Sequence, residues 1–192
     1  VSQVSDCELL VQQALDSFGR LDILINNAGT TTFVPHDDLD GLTEAIWLQT
    51  LSVNLMGAFF MTRAATPHLA KSGQGAVVMT SSIAGQTASG SSIAYCASKA
   101  GLNSLTRTLA KALGKDGIRV NTIMPHAKSP ALAGWMKANP VEAEHFQASI
   151  PLGYVGECEE DIGAFVAMMC MDEARYLSGQ TIALDGGQVF IG

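Results

Sequence analysis

The chain has 192 residues, one domain or a domain and a half by the usual length prior. Apolar residues make up 47% and charged residues only 15%, which excludes intrinsic disorder and leaves little charge to cover a monomer's surface, a hint of a homo-oligomer. A net charge of −7 with no Lys/Arg cluster argues against nucleic acid and against anionic membrane surfaces as partners.

Ser5-Asp6-Cys7-Glu8 reads as a capping box, and Cys7, Leu10, Val11, Ala14, Leu15 and Phe18 then follow at helical spacing, so a helix is predicted over Asp6–Phe18 with Gly19 as its stop. The apolar run Leu21–Asn26 follows at once and predicts a buried strand ending in Asn-Asn-Ala-Gly. A long helical stretch covers about Leu42–Leu69 in more than one piece. Gly75–Ser81 is a second buried strand, Ser82–Ser91 a small-residue loop, and Ser92–Leu113 a helix ending at Gly114 or Gly117. Ile118–Met124 is a third strand, stopped by Pro125. His126–Pro151 is a mixed segment with short helices, Glu159–Met171 a helix, and Gln180–Asp185 a fourth strand. This alternation gives an α/β fold, a parallel sheet with helices on both faces and no interior domain boundary.

Four cysteines, Cys7, Cys96, Cys158 and Cys170, lie far apart without a CxxC pair, so neither a zinc site nor a disulfide framework is expected, and reduced thiols in a cytoplasmic protein are. The uncharged stretches Ala45–Thr62 and Ser72–Ser98 are broken by polar residues and are not expected to span a bilayer, and no signal peptide opens the chain. The first residue is Val, consistent with a processed or cut chain.

Open parallel sheets bind ligands outside the C-terminal ends of their strands. Here those ends carry Asn26-Asn27-Ala28-Gly29, Ser81-Ser82 and Pro125-His126, all small or polar. Tyr95 and Lys99 stand four apart at the start of a helix and so share one face. An ammonium beside a phenol favours phenolate, and such a pair can pass a proton to or from an alcohol oxygen. Alone, a Tyr-x-x-x-Lys pattern more often marks a half-buried tyrosine beside a snorkelling lysine, and a lone Ser82 a loop serine.

The joint pattern is more specific. Asn-Asn-Ala-Gly after one strand, Ser82 at the end of the next, Tyr95 thirteen positions on, Lys99 behind it and Asp185-Gly186-Gly187 near the end resemble the classical short-chain dehydrogenase/reductase family, over Val1–Gly187. Bacterial 3-oxoacyl-carrier-protein reductases and alcohol or sugar dehydrogenases look similar. The resemblance implies a Rossmann-like doubly wound sheet and hydride transfer between nicotinamide, NAD or NADP, and a small-molecule alcohol or ketone. It makes Tyr95 the catalytic acid/base. Lys99 becomes the residue that lowers the tyrosine pKa and holds the nicotinamide ribose. Ser82 becomes the serine that polarises the carbonyl, and Asn54 the asparagine that holds a water in the proton relay. Asn26, Ala28 and Gly29 would line the adenosine side of the cofactor, and Thr80 and Pro125 the nicotinamide. No metal is implied. Helices equivalent to Leu42–Leu69 and Ser92–Leu113 would build a dimer or tetramer interface. The apolar tail Val189-Phe190-Ile191 is expected to seek burial.

The sequence also departs from the family pattern. After the third strand, Pro125-His126-Ala127-Lys128-Ser129-Pro130 replaces Pro-Gly, an aliphatic residue and Thr-Pro. His126 is thereby placed at the mouth of the site as a candidate substrate contact, and Lys128 near the carboxamide position. The Gly-rich phosphate turn of the family, between a first strand and its helix, has no counterpart, and Gly85 and Gly90 fall in the wrong place for it. The expectation is that a leading β-α-β-α-β half of roughly 60 residues lies outside this sequence, leaving Leu21–Asn26 as an open apolar edge. Two functions compete: an oxidoreductase on a secondary alcohol, ketone or 3-oxoacyl group, and a non-catalytic scaffold serving only as an oligomer partner. The acidic balance disfavours a carrier protein as partner.

Overall fold

The computed structural model describes residues 1–88 and 92–190. The predicted loop Ser82–Ser91 and the apolar tail therefore lie partly outside the described residues, at 89–91 and at Ile191. The element order is α1 (Val4–Phe18), β1 (Ile23–Asn26), α2 (Glu44–Leu51), a π-helical segment (Ser52–Gly57), α3 (Ala58–Ser72), β2 (Ala76–Thr80), α4 (Ala84–Thr87), α5 (Ile93–Leu113), β3 (Arg119–Pro125), α6 (Pro130–Ala138), α7 (Pro140–Ala148), a second π-helical segment (Cys158–Gly163), α8 (Ala164–Met169) and β4 (Thr181–Leu184). The four strands are all parallel in the order β1-β2-β3-β4.

Helices cover both faces unequally. On one face α1, α3 and α5 bury Val11, Met61, Ala65, Leu69 and Leu102 against Leu24, Val77, Met79 and Val120. On the other, Phe165, Val166 and Met169 from α8 pack on Val78, Ile123, Ile182 and Leu184. That second face runs out at β1, whose Ile23 and Ile25 are 44% and 41% exposed. β1 is also the edge of the sheet, as the sequence leads one to expect.

Two expectations change. The predicted loop from Ser82 carries the short helix α4, Ala84–Thr87, because the turn after β2 closes hydrogen bonds back to Ile83 and Ala84. The capping box does not form: α1 starts at Val4 with Gln3 as an N-cap lacking a side-chain bond, and Ser5 lies in the first turn. The Cys7 N–H already donates to the Gln3 carbonyl, so the helix begins before Ser5 can cap it. Gly19 does close the helix, at φ 72° and with its N–H on the Leu15 carbonyl. In the single chain Phe190 of the apolar tail is 90% exposed and so open to burial by association.

The stretch Glu44–Ser72 is long and apolar enough to cross a membrane by length and composition. One face of it packs into the chain, burying Thr50, Asn54, Met61, Thr62 and Leu69, while Leu48, Met56 and Phe59 stay exposed.

Candidate active site

β2 delivers the chain to the site. Its last residue, Thr80, pairs in register with Ile123 of β3, and the next residue's N–H, that of Ser81, donates to the Ile123 carbonyl at 2.8 Å. The Ser81 hydroxyl donates to the Lys99 carbonyl, tying this strand end to α5. The Ser82 hydroxyl then accepts the Ala84 N–H at 3.2 Å as the chain turns into α4. Gly85 makes the turn possible: a Cβ there would sit 2.8 Å from the Ala100 nitrogen and from the Lys99 carbonyl carbon. α4 thus lies flat on α5 directly behind Lys99, an approach closed to any residue with a side chain.

From α5, Tyr95 and Lys99 project toward the same spot, with Nζ 5.6 Å from the Tyr95 ring centroid. Tyr95 and Ser82 line the same two spaces, and the Ser82 hydroxyl is near enough to act on the phenol. Lys99 is 3% exposed and donates to the Thr80 carbonyl at 2.6 Å. Burial disfavours its charged form and brings its pKa down to about 8. Burial also raises the Tyr95 pKa above the ordinary phenol value, and the Ser82 hydroxyl offsets only part of this. This reverses the expected direction, in which Lys99 would favour phenolate. The phenol ring is buried, and the ammonium, which gives one hydrogen bond to the Thr80 carbonyl, stands over the ring face.

Asn54 sits in the π-helical segment, where the helix widens between α2 and α3. Such widened turns occur often at functional sites. Its Nδ2 donates to the Thr30 carbonyl at 2.9 Å and to Ser98 Oγ at 3.0 Å, and its Oδ1 accepts the Thr30 N–H at 2.8 Å. The 1%-exposed amide is therefore a clamp between the segment after β1 and α5. Both of its N–H groups are committed to protein, so the side chain has a positioning task, and Oδ1 keeps a further lone pair with which it could accept.

Two spaces meet at Ser82 and Tyr95. A polar crevice of about 320 Å³ runs along the strand ends, lined by Asn27, Gly29, Thr30, Thr80 and Lys99 among others. A cavity of about 540 Å³ opens on the far side, walled by Ile83, Leu132, Trp135, Phe146 and His126. Thr31, Ser82, Tyr95 and Pro125 line both.

A family model described as enoyl-(acyl carrier protein) reductase matches residues 1–188. A protein of Streptomyces violaceoruber, named for a ketoacyl reductase of the granaticin polyketide synthase, is 40% identical over 97% of this chain and 74% of its own. The L-rhamnose 1-dehydrogenase (NAD(P)(+)) of Azotobacter vinelandii is 34% identical over 94% of this chain and 69% of its own. A crystal structure from Sinorhizobium meliloti, designated a short-chain alcohol dehydrogenase, superposes with a TM-score of 0.88 at 34% identity, covering 97% of this chain and 73% of that one. A short-chain dehydrogenase/reductase structure from Burkholderia xenovorans gives 0.84 at 35% identity, with 97% and 72% covered. The chain belongs to the short-chain dehydrogenase/reductase family. It is an oxidoreductase of that family with its Rossmann-like parallel sheet.

The residues expected from the family pattern separate into three groups. Ser82, Tyr95 and Lys99 come together, with Thr80, Gly29 and Pro125 around them. A Cβ on Gly29 would sit 3.6 Å from both Asn54 Oδ1 and Lys99 Nζ, which shows how close that backbone comes to both. Asn26 does not reach the crevice. It shares a strand face with Leu24, so alternation turns it into the core, where Nδ2 donates to Thr62 Oγ1 at 3.1 Å and to Met79 Sδ at 3.2 Å. Ala28 is exposed past the strand end and does not line the crevice. His126 lines the cavity, its ring edge-on to Phe146 with centroids 5.1 Å apart. Its buried Nδ1 has no hydrogen-bond partner among the described residues. Lys128 turns away and pairs with Glu157 at 3.0 Å on the surface, and Ser129 caps α6 ahead of Pro130.

The strand-end reading found Asn27 and Ser81 but missed Thr30 and Thr31, which also line the crevice, and Leu132, Trp135 and Phe146, which wall the cavity. The two threonines carried a usable signal, since they follow Asn-Asn-Ala-Gly directly. Trp135 and Phe146 carried none, because no periodic pattern in the mixed segment 126–151 says which way its short helices face.

Proposed function

We propose that this chain transfers a hydride between a nicotinamide cofactor, NAD or NADP, and a secondary alcohol or ketone, with Tyr95 as acid/base. The observation that carries this reading is the placing of Ser82 and Tyr95 together at the seam between the polar crevice and the cavity, with Lys99 beside Tyr95. The names of the rhamnose dehydrogenase and the ketoacyl reductase support an alcohol or carbonyl substrate.

The crevice residues fit the nicotinamide-ribose end of such a cofactor. Lys99 Nζ has donors beyond the one given to Thr80, and Gly29 leaves backbone open beside it. Thr80 and Pro125, at the ends of β2 and β3, would flank the ring. The described residues contain no Gly-rich turn for a pyrophosphate. When bound, the nicotinamide supplies or accepts the hydride.

In the direction of reduction, a carbonyl oxygen set between Ser82 and Tyr95 accepts hydrogen bonds from both hydroxyls. As negative charge grows on that oxygen, Tyr95 gives up its proton and Ser82 remains a donor. A raised tyrosine pKa keeps that proton in place at neutral pH. Asn54 holds the segment after β1 against α5, and Gly85 lets α4 brace the turn at Ser82. We place the enzyme in the cytoplasm as a homo-oligomer, a dimer or tetramer. The exposed Leu48, Met56 and Phe59 between Glu44 and Ser72 support association through that helical stretch.

The scaffold alternative draws on the missing phosphate turn, and the assembled Ser82, Tyr95 and Lys99 speak for catalysis. Titration with NADH and with NADPH tests the choice. Enhanced nicotinamide fluorescence together with ketone-dependent oxidation supports the enzyme. Neither signal at millimolar cofactor, with an oligomer still present by light scattering, would overturn it in favour of the scaffold.

A further inference from the structure

The cavity beside Ser82 and Tyr95 has a chemistry of its own. None of its lining residues is Asp, Glu, Lys or Arg. A substrate carrying carboxylate, phosphate or ammonium would lose its hydration there and meet no counter-charge. Beyond Ser82 and Tyr95, the polar side chains among the described residues are few: Thr31, which approaches Ser92 Oγ at 3.5 Å, Gln188 and His126. A polyhydroxylated chain would therefore find too few partners for its hydroxyl groups.

The remaining wall is aromatic and aliphatic, and its aromatic part is ordered. Phe146 takes His126 edge-on at 5.1 Å and 73°, and Trp135 edge-on at 5.8 Å and 76°. These edge-to-face contacts set the three rings steeply to one another, so the wall offers ring faces and ring edges to an occupant. Trp135 nonetheless stays 40% exposed, a large apolar face at the cavity still in contact with water. A volume of about 540 Å³ accommodates a fused two-ring ligand with its reacting carbon at the seam.

Resting on the oxidoreductase reading above, we propose that the substrate is an uncharged ketone, or its secondary alcohol, whose reacting carbon belongs to or adjoins a flat ring system. The ring lies against Trp135 and the Phe146–His126 pair, and the oxygen meets Ser82 and Tyr95. The cationic group nearest in sequence to His126, Lys128, is paired with Glu157 and does not line the cavity. Acyl chains presented by an acidic carrier protein are disfavoured by the chain's own net charge of −7.

The test uses two readouts on the full chain. Trp47→Phe leaves Trp135 as the single tryptophan, since the chain has 2. In that background 2-tetralone, titrated without cofactor, is expected to quench the fluorescence saturably, and fructose and pyruvate are expected not to. In turnover, 2-tetralone is expected to exceed S-acetoacetyl-N-acetylcysteamine, fructose and pyruvate in kcat/KM by tenfold or more. Trp135→Ala, which removes a half-exposed side chain rather than core, is expected to erase most of that preference, mainly through KM. A preference for the thioester, the sugar or the oxo acid overturns the proposal while sparing the oxidoreductase reading. So does a tetralone preference untouched by Trp135→Ala. Saturable quenching with no turnover of any ketone does the reverse: it upholds the ring-binding cavity and sinks the hydride-transfer reading.

Discussion

The crevice and the cavity share the Ser82–Tyr95 seam but are built by opposite means. The crevice is made where regular elements end: β1, β2 and β3 stop side by side, α5 supplies Tyr95 and Lys99, and backbone carbonyls and small polar residues do the lining. The cavity is walled by the turn after β2, the residue after β3 and two short helices, through large side chains. A sheet's strand ends are fixed by many mutually supporting hydrogen bonds, so chemistry common to a family belongs there. Short helices on a rim exchange side chains at little cost to the fold, so selectivity belongs on them.

The comparison breaks most readily at Tyr95. Tyr95→Phe keeps the ring and removes the proton donor, and it is expected to cost about 10²–10⁴-fold in ketone reduction with 2-tetralone quenching of Trp135 unchanged. Loss of both together would mean that crevice and cavity are not separable.

Lys99 sharpens the crevice side through pH. Its folded pKa of about 8 lies below an unfolded value of about 10.4, so the folded protein releases this proton first. The unfolded state then holds more protons, and stability rises with pH through that window, by up to about 3 kcal/mol. Urea midpoints of the wild type should therefore climb relative to Lys99→Met between pH 8 and pH 10. A wild-type midpoint that stays level or falls relative to Lys99→Met over that range would contradict a buried charged lysine.

Asn54→Ala removes three hydrogen bonds and leaves the Thr30 backbone groups without their side-chain partner. A loss of about 2–3 kcal/mol in folding stability is expected, with kcat falling more than KM rises. Gly85→Ala should cost about 1–3 kcal/mol, because the new methyl must push α4 away from α5. Denaturant unfolding checks both. A neutral Gly85→Ala would show that α4 is not braced as described.

The smallest effect concerns direction. Because Tyr95 titrates above the ordinary phenol value, alcohol oxidation, which needs the phenolate, is expected to keep rising above pH 9, and ketone reduction to stay level through neutrality. An oxidation optimum below pH 7 would argue against Tyr95 as the base.

How much of this was legible beforehand follows the same division. Apolar runs and helical spacing located the four strands and the long helices, and the strand-end residues with Tyr95 and Lys99 located the crevice. Asn26 was misread because a motif names residues without saying which face of a strand they take, and the register with Leu24 decides that. The direction of the Tyr95 pKa was misread because spacing shows a neighbouring charge and not the depth of burial. Asn54 was found, but its clamp on Thr30 depends on a π-helical turn that no local pattern announces. Trp135 and Phe146 were invisible because the orientation of α6 and α7 is set by tertiary contact alone.

The most direct test of the central claim is isotopic. Reduction of the ketone that the chain turns over fastest, by reduced nicotinamide cofactor carrying deuterium at both C4 positions, should place deuterium on the carbinol carbon of a single product enantiomer. Product free of deuterium, or a racemic carbinol, would contradict hydride transfer across the Ser82–Tyr95 seam.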